Sequence, residues 1–86
     1  LAWKIEVDGD ARKALKKMDP ATARRILRYL RDLGELEDPT DRGKPLSANL
    51  AGMWRYRVGD YRIICEIRRG ELVVLALEIA HRSAAY

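Results

Sequence analysis

A single cysteine, Cys65, excludes an internal disulfide and fits a reducing cytoplasm, where the protein is expected to act. With only one histidine beside it, His81, no four-ligand zinc pattern can be assembled, and no metal is expected. No apolar run approaches the roughly 20 residues of a membrane-spanning helix, so no membrane partner is expected. The first residues, LAWKIEV, lack a secretory signal's charged start and cleavage site. They also lack a leading methionine, which points to a processed or trimmed start. There is no Walker A loop, no dinucleotide fingerprint and no Ser-His-Asp spacing, and hence no sign of a cofactor. Internal repeats, low-complexity segments and linkers are missing too.

What is there suits one small globular domain over residues 1–86. Apolar residues make up 48% and charged residues 35%, which separates the chain from disordered and membrane classes. Seventeen basic residues against thirteen acidic ones leave a net charge of +4. That excess alone is a weak pointer to an anionic partner; its distribution matters more.

Residues 2–7 alternate, with Trp3, Ile5 and Val7 on one side, and predict a half-buried strand. From about Asp10, Ala11, Ala14, Leu15 and Met18 recur at helical spacing. Asp19-Pro20 then opens a second helix, with Asp19 as cap and Pro20 at the first helical position. Ala23, Ile26, Leu27, Leu30 and Leu33 form its buried stripe, and Gly34 is the expected terminator. Arg24, Arg25, Arg28 and Arg31 fall off that stripe and read as a solvated surface. Residues 35–52 show neither period, with Leu46 and Leu50 as expected anchors. Three strands follow at about 53–58, 61–67 and 71–79. The expected fold is α+β in two layers. A helical hairpin lies on one face of a mostly antiparallel four-stranded sheet, in the order β-α-α-β-β-β, and the other face stays open.

The stretch WRYRVGDYRI concentrates charge around a turn. Gly59-Asp60 suits a two-residue hairpin loop with glycine first. That register pairs Trp54 with Cys65, Arg55 with Ile64, Tyr56 with Ile63, Arg57 with Arg62 and Val58 with Tyr61. Alternation then sends Trp54, Tyr56, Val58, Tyr61, Ile63 and Cys65 to the helices. Arg55, Arg57 and Arg62 share the open face. Arg57 and Arg62, about 5 Å apart, repel by roughly 1 kcal/mol in water. No structural gain offsets that cost, so the cluster reads as an anion site, and guanidinium forks suit phosphate. Glu66 and Glu78 are acids on the same face that could neutralise it. A three-residue loop ending at a left-handed Gly70 predicts Val73, Leu75 and Leu77 on the core side. Ile64, Val74 and Ala76 would then form an apolar strip on the open face. Cys65 is expected in the core as an inert small hydrophobe.

The segment GKPLSANLAGMWRYRVGDYRIICEI, followed by LVVLALEIAHRSAAY, resembles the RelE/ParE superfamily of toxins from toxin–antitoxin pairs. The likeness extends over essentially the whole chain and lies closer to the RelE branch, whose members cut mRNA in the ribosomal A site. It implies a cognate antitoxin, the ribosome and mRNA as partners, and a chemistry without metal or cofactor. The RNA 2′-hydroxyl attacks the adjacent phosphate, leaving a cyclic phosphate and a 5′-hydroxyl. By position, the resemblance makes Arg55 and Arg57 phosphate-binding residues of the second strand. It makes Arg62 the phosphate contact in catalysis, Arg82 the stabiliser of the transition state or leaving group, and Tyr86 the residue that orients a nucleotide. Arginines replace the lysines that some relatives carry on that strand, which leaves the general base open. His81, next to Arg82, is the candidate for it. The two alanines of HRSAAY leave room for an attenuated toxin that retains only antitoxin binding. The other alternative is a ParE-like inhibitor of DNA gyrase with no catalysis of its own.

Overall fold

The computed structural model describes residues 2–47 and 52–85. Strand β1 (Lys4–Val7) leads into α1 (Gly9–Lys17) and α2 (Pro20–Glu35). A 3-10 turn at Pro39–Arg42 precedes a two-residue strand, β2 (Lys44–Pro45). Then come β3 (Met53–Val58), β4 (Tyr61–Arg68), β5 (Val73–His81) and a final turn of helix, α3 (Arg82–Ala85). The sheet order is β1-β5-β4-β3-β2, parallel between β1 and β5 and antiparallel elsewhere. The sheet thus has five strands where four were expected. The extra one, β2, is too short for any period to reveal, and Pro45 is tolerated because β2 lies at an edge.

The helices form where local chemistry favours them. Asp19 accepts a hydrogen bond from the Thr22 amide at 3.2 Å, with Pro20 behind it in the first turn. Ile26, Leu30 and Leu33 are fully buried in one cluster with Tyr56, Ile63, Cys65, Val74 and Ala76. Gly34 does not end α2, which runs on to Glu35. Its glycine serves close approach instead, since a Cβ there would lie 2.7 Å from the Trp3 carbonyl oxygen. Burial pushes the Cys65 thiol up to about 12, which makes it the inert core residue expected.

The β3–β4 register matches the expected pairs throughout, from Trp54↔Cys65 to Val58↔Tyr61. Gly59 takes a positive φ of 58° and Asp60 does not, as the glycine-first turn requires. The following hairpin differs. Its turn is a 3-10 segment at Arg69–Glu71 closed by Leu72 in the left-handed region, and Gly70 has no positive φ. Arg68 therefore pairs with Val73, and the parity of β5 is the reverse of the expected one. Val74 and Ala76 are fully buried in the core, while Val73 and Leu75 take the open face opposite Lys4 and Glu6. A bulge leaves Leu77 unpaired between Ala76 and Glu78, and Ile79 returns to the core. The expected preference for larger side chains inward fails because α1 packs directly on β5. Ala11 and Ala76, both fully buried, keep that contact close.

Leu50 lies outside the described residues, and Leu46 is half-buried. The main anchor of the aperiodic segment is Pro39, whose carbonyl accepts the buried Tyr56 hydroxyl at 2.9 Å. Gly43 then lies flat on that ring, since a Cβ there would be 2.8 Å from Tyr56 Cε1. We expect Gly43→Ala to push β2 off the ring and cost about 1–3 kcal/mol through overpacking. Chemical denaturation measures this, and an unchanged midpoint would show that β2 can shift freely.

Candidate phosphate-binding and catalytic site

The open face of β3 and β4 carries the charge. Lys44 pairs with Arg55, and Arg57 pairs with Arg62, so alternation places all four side chains on one face. Arg42, Lys44, Arg55, Tyr56 and Arg57 line a recess of about 250 Å³ that no carboxylate lines. Arg62 is less exposed than its place on an open face implies, with 24% of its side chain accessible and Glu78 Oε1 at 3.8 Å. Glu66 is engaged by Arg68. Both acids foreseen on this face are thus present, one beside each arginine, at the margin of the cluster.

Two of these cations, Arg42 and Lys44, are not among the residues singled out from the sequence. They sit in the aperiodic segment, and only the seating of Gly43 on Tyr56 brings them to the sheet. The basic pair flanking a glycine in DRGKP was the available signal. The buried Tyr56 ring stays neutral, because burial pushes its phenol far above the usual range, and its hydroxyl donates to the Pro39 carbonyl.

At the other end of these strands, the Arg82 amide donates to the Asp60 carbonyl at 2.8 Å, and its guanidinium lies 3.8 Å from Asp60 Oδ1. This ties Arg82 to the turn that precedes Arg62. An exposed pair of this kind is worth at most about 1 kcal/mol, so phosphate can compete for the guanidinium. His81 is not brought to the open face. It pairs with Tyr61, which faces the helices, and the two rings meet edge to face at 5.3 Å. Its Nδ1 accepts the Ser83 amide at 3.2 Å and lies 2.7 Å from the Ser83 hydroxyl. An acceptor at Nδ1 puts the proton of the neutral ring on Nε2. Tyr86 lies outside the described residues.

Among the described residues no group of three His, Cys, Asp or Glu side chains could hold a metal ion, and no helix is long and apolar enough to cross a membrane. A concavity of about 900 Å³ lies between β1 and the helices with Ile5, Val7, Leu15 and Leu27 in its lining. It is away from the cation cluster, and phosphate chemistry needs converging cations rather than volume.

Comparisons with known proteins place the chain in a family and match its fold to solved structures. The family described as "ParE toxin of type II toxin-antitoxin system, parDE" matches residues 5–86, and the chain belongs to it. Toxin RelG of Mycobacterium tuberculosis is 32% identical over 100% of this chain and 98% of its own length. Toxin RelE of the same organism is 43% identical over 59% of this chain, a match spanning 53%, about half, of that relative's length. Among solved structures, the toxin–antitoxin complex RelBE2 of Mycobacterium tuberculosis superimposes with a TM-score of 0.85 at 28% identity, covering 96% of this chain and 94% of that one. An archaeal RelE–RelB complex from Pyrococcus horikoshii gives 0.74 at 27% identity, covering 95% and 97%.

Proposed function

We propose that this toxin is an endoribonuclease that cuts mRNA on the ribosome and is restrained by a cognate antitoxin. The observation that carries the reading is the recess of Arg42, Lys44, Arg55 and Arg57, free of lining carboxylates, beside Arg62. The similar toxins seen in complex with their antitoxins support the antitoxin partner.

In this reading the 2′-oxygen attacks the adjacent phosphorus, and the bond from phosphorus to the 5′-oxygen breaks. A 2′,3′-cyclic phosphate and a 5′-hydroxyl result. Arg55 and Arg57 hold the backbone in line, and Arg62 neutralises charge that grows on the phosphoryl oxygens. Arg82, released from Asp60, stabilises the leaving 5′-oxygen, and Tyr86 orients a nucleotide. The nucleophile's proton needs an acceptor. Guanidinium groups do not deprotonate near neutrality, and the Tyr56 phenol is held by Pro39. His81, with its Nδ1 engaged by Ser83 and its ring against Tyr61, is better placed to orient α3. Lys44 is the remaining side chain of the recess whose neutral form can accept a proton, and we assign it the base.

The second reading, a gyrase inhibitor, draws on the family description, which is that of ParE toxins. One experiment separates them: inducing the chain in cells, mapping mRNA 5′ ends on ribosomes and assaying DNA supercoiling alongside. We expect new 5′-hydroxyl ends within A-site codons and normal supercoiling. Inhibited supercoiling without cuts establishes the second reading.

A further inference from the structure

We propose that α2 carries a second phosphate-binding recess, joined to the first through Arg57, that grips the mRNA strand outside the scissile step. The inference rests on the endoribonuclease reading and adds a binding subsite to it. The arginines of α2 were expected to be a solvated surface. All four are exposed as expected, and two of them, Arg25 and Arg28, also line a recess of about 300 Å³ together with Arg57 of β3.

The geometry that joins the two recesses comes from the short β2. It pairs only with Trp54 and Arg55, so the edge of β3 beyond them is uncovered. Arg57 lines both recesses across that edge. The wall between them is an aromatic pair, Tyr56 on one side and Tyr29 on the other, edge to face at 6.2 Å. At the turn, Gly59 leaves room for the Arg25 guanidinium, whose Nη1 would lie 3.1 Å from a Cβ at that position. Asp32 is the one carboxylate of the second recess. Among the described residues, Arg25, Arg28 and Arg57 form no ion pair, with Asp32 or any other acid. Three cations against one anion leave a net positive recess sized for one phosphate. Its continuity with the cleavage recess makes the neighbouring phosphate of the same strand the natural occupant.

The test uses salt. Each phosphate neutralised on a single strand contributes about −0.7 to the slope of log affinity against log salt. The probe is a single-stranded RNA oligonucleotide with a 2′-deoxy substitution at the scissile nucleotide, which removes the nucleophile. The same RNA placed on ribosomes is the second arm. Alanine favours helix, so Arg25→Ala/Arg28→Ala keeps α2 intact, and thermal unfolding verifies this. We expect the slope to become shallower by about 0.7 with both probes. The parent's advantage in affinity then shrinks about 2.6-fold between 50 and 200 mM salt. On the all-ribose RNA placed on ribosomes, the cleavage rate at saturating toxin stays at the parent's value, and Arg25→Lys/Arg28→Lys retains the parent slope. A slope that changes on ribosomes but not on the free oligonucleotide reassigns the contact to ribosomal RNA and overturns the strand assignment. An unchanged slope with both probes, from a parent that cuts, overturns the second recess alone. A parent that neither binds nor cuts RNA removes the endoribonuclease reading beneath it.

Discussion

Replacing Arg62 with alanine is expected to lower single-turnover cleavage on programmed ribosomes about a hundredfold to thousandfold. That is the usual consequence of removing one charged contact to a developing oxyanion, about 2.7–4 kcal/mol. The position singles it out. Arg62 is held across from Arg57 by the β3–β4 register, and its half-buried side chain is positioned before substrate arrives. Stability should change little, because three modest effects oppose one another. Truncation removes the repulsion with Arg57, about 1 kcal/mol, but loses packing of the alkyl stem and the distant pairing with Glu78. Glu78 is left solvated rather than stranded, since 58% of its side chain is accessible. Arg62→Lys is the informative companion. It keeps the charge and loses the planar fork, so an intermediate rate is expected where two oxygens are bridged. A folded Arg62→Ala protein that cuts at the parent rate would exclude Arg62 from the site.

How well the sequence foretold these features depends on how locally each is determined. The β3–β4 hairpin is determined by two residues, Gly59 and Asp60, and once the turn is known every pairing and facing follows. The site arginines on β3 and β4 were legible for that reason. The next hairpin is not local in that sense. Its left-handed residue is Leu72, a type that rarely takes that conformation, stationed where its carbonyl meets the Lys4 amide at 2.8 Å. A glycine two residues earlier was the natural but incorrect choice, and the slip reversed the faces of Val73 through Ala76. His81 was expected just past a strand ending at 79, but β5 runs on to His81 and pairs it with Tyr61 on the helix side. Strand β2 was hidden by its brevity, and with it Arg42 and Lys44. Their recruitment is tertiary: it depends on Pro39 and Gly43 fitting against Tyr56.

Lys44 offers the other large effect, and its prediction turns on a substitution that preserves charge. Strand spacing of about 4.8 Å and two residues of offset place its Cα about 12 Å from that of Arg62. Two long side chains on one face can meet the same phosphodiester over that span. The charged groups that line the recess with Lys44 are Arg42 from the 3-10 turn and Arg55 and Arg57 from β3. No acid lines the recess, and Lys44 forms no ion pair among the described residues. An arginine at 44 would bind phosphate as well as lysine does, yet it could not take up a proton near neutrality. If Lys44 is the base, Lys44→Arg lowers the single-turnover rate by about a hundredfold to ten-thousandfold, the range of general acid–base catalysis. Lys44→Ala falls at least as far. The pH profile carries the second half of the test. Whatever pH dependence the proton acceptor gives the parent rate should disappear in Lys44→Arg. The opposite pattern is equally clear. A Lys44→Arg protein with the parent's rate and the parent's profile would make Lys44 a phosphate ligand only, and the proton acceptor would then have to come from the ribosome or from Tyr86.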